Sequence, residues 1–293
     1  MSYCPLCPHH CPSRSSGLCG ETDFIHARVA KTMLHRWEEP CVSGTNGTGA
    51  VFFAGCNLRC VFCQNYEISQ PVPHSPPGRG GPQAGVVVRS TCACELVDAP
   101  RLAELFWQLA EQGAESISLI SPSHVLPVAR EAMRLAKGRG FPLRFVWNSN
   151  AYENPEALRT LEGLVGLYLP DLKYEDNCMA LRYSGVPVYF KYATAAIEEM
   201  CRQTEVLIRH MVLPGGRRDS MRVLDWIAET HPDASISLMA QYTPTHRAAE
   251  FPPLHRRLTG FEYDTVAEYA VSLGLEGYFQ GRDAATAAYT PEF

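Results

Sequence analysis

Ala50-Val51-Phe52-Phe53-Ala54-Gly55-Cys56-Asn57-Leu58-Arg59-Cys60-Val61-Phe62-Cys63-Gln64-Asn65 is the stretch on which the reading of this chain turns. Its first four residues are an apolar run of strand length, and Gly55 ends it. Three thiols, spaced Cys56-x3-Cys60-x2-Cys63, therefore emerge together from a strand end. Three thiolates on one tight loop can hold three irons of a four-iron cluster. The fourth iron is then left without a protein ligand and open to a small molecule. A three-ligand zinc site and unrelated buried thiols are the alternative readings.

With Phe62 before the last cysteine and Cys63-Gln64-Asn65 after it, the loop resembles the radical S-adenosylmethionine (SAM) signature. That resemblance implies a [4Fe-4S] cluster whose open iron chelates the amine and carboxylate of SAM. One electron then cleaves the C5′–S bond, and the 5′-deoxyadenosyl radical removes a hydrogen atom from a substrate. The protein's part is position and seclusion.

Composition bounds the rest. At 293 residues the chain can form one large α/β domain plus a small appendage, and 46% hydrophobic residues promise a sizeable core. A net charge of −5, without a long basic stretch, gives no case for nucleic acid. Met1-Ser2-Tyr3-Cys4-Pro5 lacks a signal-peptide pattern, and no apolar run is long enough to span a bilayer. No membrane association and a cytoplasmic location are expected. Twelve cysteines in such a chain favour reduced thiols and metal sites over a disulfide scaffold.

A second cysteine set precedes the first: Cys4-x2-Cys7-x3-Cys11-x7-Cys19, interleaved with Pro5, Pro8 and Pro12. So short a segment cannot build its own core, and a metal would supply the missing stabilisation. Four thiolates suit zinc or a second iron–sulfur cluster. A reduced, irregular tail is the alternative. Residues 1–40 are expected to form this Cys-rich segment and residues 41–293 the main domain.

From Ala50 onward strand-like and helix-like patterns alternate. A Pro/Gly-rich piece from Gln70 to Gly85 reads as an exposed loop. Helices are expected over Pro100–Gln112, Pro127–Lys137, from Pro155 behind an Asn154 N-cap, from a Ser220 cap, and over Phe261–Leu273. After the first strand, others are expected at Ser116–Ile120, Leu143–Trp147, Leu164–Leu169, Val206–Leu213 and Ser235–Ala240. Strand–helix alternation implies parallel strands and right-handed crossovers. Six strands argue for an incomplete barrel, in keeping with the partial (β/α)6 TIM-like fold that the resemblance implies. In such barrels the loops after the strands build the active site. No role is assigned to Cys41, Cys92, Cys94, Cys178 or Cys201.

The strand ends deliver Ser121-Pro122-Ser123-His124, Trp147-Asn148-Ser149-Asn150, Leu169-Pro170-Asp171-Leu172-Lys173, Arg209-His210-Met211 and Gln241-Tyr242 to one rim. With Leu34-His35-Arg36-Trp37-Glu38-Glu39-Pro40 and Cys41-Val42-Ser43-Gly44, these stretches resemble the pyruvate formate-lyase-activating-enzyme branch. The likeness is to homologues with an N-terminal four-cysteine segment, and it spans nearly the whole chain. It implies Asp171 and Lys173 near the SAM carboxylate and Arg209 approaching SAM. Asn148 and Ser149 would join Asp171 at a monovalent cation, and Tyr242 falls where a histidine often lies. Phe62, Asn65, Ser123 and His124 complete the implied cofactor contacts. The chain departs from that branch where Ser121-Pro122-Ser123-His124 replaces a Gly-Gly-Glu, where Asn148 replaces an Asp, and over 202–206, which is shorter. Each rim residue also has a plainer reading, such as a surface Asp171–Lys173 pair. The implied activity is abstraction of a glycyl hydrogen from a partner enzyme, with a flavodoxin- or ferredoxin-like electron donor. Radical modification of another protein or a small molecule, and a non-enzymatic electron-transfer or sensing role, are the alternatives.

Overall fold

A computed structural model describes residues 3–12, 17–21, 23–70 and 94–281. The Pro76–Pro82 run and Cys92 lie outside the described residues. Nine strands are described: β1 (Ala27–His35), β2 (Thr48–Phe53), β3 (Glu95–Val97), β4 (Ile117–Ile120), β5 (Phe145–Ser149), β6 (Leu167–Pro170), β7 (Leu207–Met211), β8 (Ser235–Met239) and β9 (Gly277–Phe279). The first sheet runs β3-β1-β2-β4-β5-β6 and the second β7-β8-β9. Two isolated parallel bridges, Tyr168 to Val206 and Asp171 to Arg209, join β6 to β7. The expected six strands are all present, as β2, β4, β5, β6, β7 and β8, and all run parallel. β9 adds a further parallel strand beyond β8. The result is a partial TIM-like barrel, as the sequence led us to expect.

Three described strands, β1, β3 and β9, were not expected. β1 pairs antiparallel with β2, and β3 antiparallel with β1, so the sheet reaches into residues 1–40. β1 carries alternating burial at its start, with Ala27 and Val29 buried and Arg28 and Ala30 half-buried. That is the period-2 pattern of a strand with one face on the core.

Helices pack outside the sheet. Ala99–Glu111 starts at Asp98, whose side chain accepts the Arg101 N–H, and it buries Leu102, Leu105, Phe106 and Leu109. Each such side chain contributes about 1.5–3 kcal/mol relative to exposure. Leu126–Gly138 is the second crossover, and Gly260–Ser272 opens with a Thr259–Glu262 capping box. The crossover after β7 begins at Arg217, with Gly216 at the cap position. Ser220 is therefore inside that helix, bonded to His210 and not capping. Asn154 does precede Pro155 at a helix start, but its amide donates to the Pro5 carbonyl at 2.6 Å instead of capping. Helices Asn177–Ser184 and Tyr189–Gln203 fill the β6–β7 connection.

Alternation sorts each strand into two faces. On β5, Trp147 joins the core beneath the helices, while Val146 packs inside the barrel with Leu167, Leu169 and Leu207. Asn148 shares the inner face with Val146, and Ser149 shares the outer face with Trp147. Among the described residues no helix is long and apolar enough to cross a membrane.

Candidate active site

Gly55 ends β2's exit with φ +93, a left-handed conformation, and donates its N–H to the Ile68 carbonyl at 2.8 Å. This turn carries Cys56, Cys60 and Cys63 to the wall of a cleft of about 220 Å³ at the C-terminal ends of the parallel strands. Loop 56–63 is pinned on both sides. Arg59 and Val61 donate backbone N–H groups to Ser184 and Tyr183, and the Arg247 N–H reaches the Val61 carbonyl at 2.8 Å. The sulfurs have polar company. Ser184 Oγ lies 3.1 Å from Cys60 Sγ, Ser69 Oγ lies 3.2 Å from Cys63 Sγ, and the Leu58 N–H donates to Cys56 Sγ at 3.4 Å.

Burial raises all three thiols, and Cys63 reaches about 12. As bare groups they hold their protons at neutral pH, and metal is what makes buried thiols into thiolates. Among the described residues no three Cys, His, Asp or Glu side chains meet around one metal ion. Thiols that each bind a different iron of one cluster stand farther apart than ligands of a single ion. Three thiols on one cleft wall, with hydrogen-bond donors at their sulfurs, fit a cluster. The three-ligand zinc alternative does not fit.

The same cleft holds an ion network of Glu38, Asn148, Asp171, Lys173 and Arg209. Arg209 on β7 donates through Nε to Asp171 Oδ1 at 2.9 Å, through one terminal nitrogen to Glu38 Oε2 at 3.0 Å, and through the other to Asn148 Oδ1 at 2.8 Å. Lys173 Nζ donates to Asp171 Oδ2 at 2.8 Å. Burial alone would raise the Asp171 carboxyl, but Arg209 and Lys173 outweigh it and hold it below the usual carboxylate range. Lys173 is held above its ordinary value, Asp171 and Cys60 outweighing burial. Glu38 goes the other way, because burial lifts its carboxyl more than Arg209 lowers it. Asp171 and Lys173 thus form the pair that alternation allows, but inside the cleft and not at the surface.

Phe62, Asn65, Asn148, Asp171, Lys173 and Arg209 all line the cleft with the three cysteines. Four expected residues do not. Ser149 Oγ donates to Glu153 on the outer face of β5, alongside the Trp147 indole N–H. The expected Asn148–Ser149–Asp171 cation cradle is therefore not assembled, and both Asp171 oxygens already hold protein cations. Ser123 and His124 turn away as well. Ser121 adopts φ +54 and lines the cleft itself, while the short 3-10 turn Pro122–Val125 carries the next residues out of it. His124 Nε2 lies 2.9 Å from the Ala54 carbonyl, and the ring faces the N-terminal cysteines. Tyr242 is buried, its hydroxyl donating to the Leu254 carbonyl at 2.5 Å and its ring edge-on to Phe62 at 6.0 Å. Its neighbour Gln241 lines the cleft in its place.

Sequence reasoning missed three residues at this site. Glu38 appeared only within a matching stretch, without a role. Asn150 donates to Asn57 Oδ1 at 2.7 Å and lies 3.5 Å from Cys56 Sγ. The buried Tyr189 hydroxyl donates toward the Asp171 and Asn150 carbonyls at 2.6 and 2.9 Å, tying the ends of β5 and β6 together. Tyr189 sits on a helix the periodicity did not reveal, so its only signal was a buried polar aromatic needing a partner.

The four N-terminal cysteines gather beside the Cys56 loop. Cys4, Cys7, Cys11 and Cys19 line one small cavity together with Asn57 and His124. No described cysteine is in a disulfide.

No protein-family model matches the chain. The uncharacterized protein MJ0674 of Methanocaldococcus jannaschii is 27% identical over 279 residues, 93% of this chain and 75% of that protein. SuiB of Streptococcus suis, bound to precursor peptide SuiA, aligns with TM-score 0.52 at 12% identity, over 78% of this chain and 47% of SuiB. The chain thus spans about half the length of SuiB. The protein anSMEcpe, with bound AdoMet, aligns with TM-score 0.51 at 13% identity, over 78% of this chain and 61% of that one. At these identities the likeness establishes the fold alone, a partial TIM-like α/β barrel shared with these proteins.

Proposed function

We propose that this chain is a radical SAM iron–sulfur enzyme that reductively cleaves S-adenosylmethionine. The observation that carries the reading is that the Cys56, Cys60 and Cys63 residues line one cleft together with the Arg209–Asp171–Lys173 network. A four-iron cluster held by those thiols would supply the electron for cleavage of the C5′–S bond. The chain's own residues do the positioning. Asp171, Glu38 and Asn148 each take one donor from Arg209, and Asp171 takes one from Lys173. Donors remain on both cations for a carboxylate, and the Arg209 fork suits one best. Asp171 acts by aiming the two cations. Phe52, Leu58, Phe62, Met211, Leu213 and Met239 give the cleft an apolar wall that excludes water from the reacting bond.

Within this reading, the resemblance favours a glycyl residue of a partner enzyme as hydrogen donor and a low-potential flavodoxin- or ferredoxin-like protein as reductant. The test is anaerobic incubation of the reduced protein with SAM and a candidate partner deuterated at glycine. Deuterium in 5′-deoxyadenosine supports the full proposal. Unlabelled 5′-deoxyadenosine supports SAM cleavage but not that partner, and absence of 5′-deoxyadenosine refutes both.

A further inference from the structure

We propose that Tyr174 and Ser184 form a two-hydroxyl relay that ends on Cys60 and sets how easily a cluster held by the Cys56 loop takes an electron. The inference rests on the reading of Cys56, Cys60 and Cys63 as cluster ligands. It adds two residues of the β6–β7 connection, neither of which lines the cleft.

Ser184 Oγ lies 3.1 Å from Cys60 Sγ, and the Tyr174 hydroxyl lies 2.9 Å from Ser184 Oγ. Both Tyr174 and Ser184 are buried. The backbone holds the arrangement in place on either side of Cys60. The Arg59 N–H donates to the Ser184 carbonyl at 3.0 Å, and the Val61 N–H to the Tyr183 carbonyl at 2.8 Å. Ser184 ends the helix Asn177–Ser184, and Gly185 turns the chain away at φ +76. At the other end of the relay, the Tyr174 ring stands edge-on to Tyr189 at 5.6 Å. Next to it, Asp219 Oδ1 accepts the Glu175 and Asp176 N–H groups at 3.1 and 2.6 Å. Elements outside the Cys56 loop thus fix both hydroxyls.

The direction of the relay follows from counting hydrogens. A serine hydroxyl has one hydrogen and two lone pairs. An iron-bound cysteine sulfur is a thiolate and has no hydrogen, so the contact with Cys60 requires Ser184 to donate. Ser184 then meets Tyr174 with a lone pair, and Tyr174 donates to Ser184. Both protons point along one line toward the sulfur, and each bond polarises the next. Hydrogen bonds to cluster sulfurs help set the reduction potential. They raise it, because the added electron increases the negative charge that the donor faces. The plainer reading is two buried hydroxyls that satisfy each other. Breaking such a pair costs stability and leaves the potential alone. In the relay, Ser184 and Tyr174 are positioning residues that act through Cys60.

The experiment loads the full chain anaerobically with iron and sulfide and follows the reduced cluster's paramagnetic signal in a potentiometric titration. Ser184→Ala should shift the one-electron equilibrium about tenfold toward the oxidised cluster, a potential about 59 mV more negative. Tyr174→Phe should shift it the same way by about two- to threefold, or about 18–28 mV. In the Ser184→Ala background Tyr174→Phe should add nothing, because the relay is already cut. Tyr174→Phe removes one oxygen only, and is the second variant in case Ser184→Ala does not fold. A wild-type potential in either single variant overturns the relay. So does a Tyr174→Phe shift that persists in the Ser184→Ala background. A wild-type chain that assembles no four-iron cluster overturns the functional reading and the relay with it, whereas a cluster whose potential ignores both hydroxyls overturns the relay alone.

Discussion

Replacing Arg209 by methionine removes its charge while keeping much of its volume, and the cost should fall on the fold and on SAM binding in separable amounts. Asp171 would keep Lys173 at 2.8 Å, whereas Glu38 would lose the ion pair it makes with Arg209 at 3.0 Å. Removing one partner of a buried ion pair costs about 3–5 kcal/mol. Here the Arg209 and Glu38 side chains keep 12% and 11% of their exposure. Water relieves part of the stranded charge, which brings the expectation to about 2–3 kcal/mol. Burial already lifts the Glu38 carboxyl, with Arg209 pulling against it. Without Arg209 it climbs further. A carboxyl raised in the folded state contributes its stability at low pH and loses it as pH rises through the folded value. The deficit should therefore be larger at about pH 8 than at about pH 5. Urea unfolding at both values measures it. Adding Glu38→Gln should recover about 1 kcal/mol, since groups in direct contact are not additive. SAM affinity should fall by about 1.5–3 kcal/mol, the worth of a hydrogen bond to a charged group, or about 10–150-fold in Kd. Iron content should not change. Wild-type unfolding midpoints at both pH values, with a double variant additive to within about 0.5 kcal/mol, would refute the reasoning.

The triple Cys56→Ala/Cys60→Ala/Cys63→Ala variant should make no 5′-deoxyadenosine from SAM under reducing conditions, and undiminished production would sink the cluster assignment. His210 is buried between the Leu172 carbonyl and Ser220 Oγ, and burial drives its imidazole down to about 4. The neutral ring therefore adds stability that is whole above about pH 6.5 and fades toward about pH 4, in all about 3 kcal/mol at 1.36 kcal/mol per unit. His210→Gln should flatten that acid limb, and an unchanged limb in urea melts across the range would count against it. Gly55→Ala should lower stability by about 1–3 kcal/mol, because the residue sits at φ +93 against the Cys19 carbonyl. A thermal melt matching wild type would show that the N-terminal segment is free to shift.

The parts of the fold written in periodicity were legible. β2 ending at Gly55, the helices on Leu102–Leu109 and Val128–Leu135, and the six parallel strands carry local patterns that tertiary contacts did not override. β1 was not read because its alternation is diluted by Arg28 and Lys31 and lies beside a cysteine-rich stretch that drew a different explanation. The cleft was half legible. Sequence places a residue at a strand end, but its face depends on where the strand stops. Asn148 and Ser149 part company on that account, and so do Gln241 and Tyr242. His124 was lost to a left-handed Ser121, a conformation that neither residue type nor spacing announces. Glu38 arrives from more than a hundred residues away in sequence, and pairing over such separation leaves no local trace.

The join between β6 and β7 has a mechanical meaning. Elsewhere in the barrel, neighbouring strands are zipped by continuous ladders, but here two isolated bridges do the work. One of them is Asp171 to Arg209, the same two residues whose side chains meet in the cleft. The wall therefore has a seam, and its rivet also lines the cleft. On the proposed function, a small molecule gripping Lys173 on one side and Arg209 on the other would span that seam and stiffen it. Occupancy of the cleft would then be read most directly at the Leu172 amide, which donates across the seam to the Arg209 carbonyl at 2.8 Å.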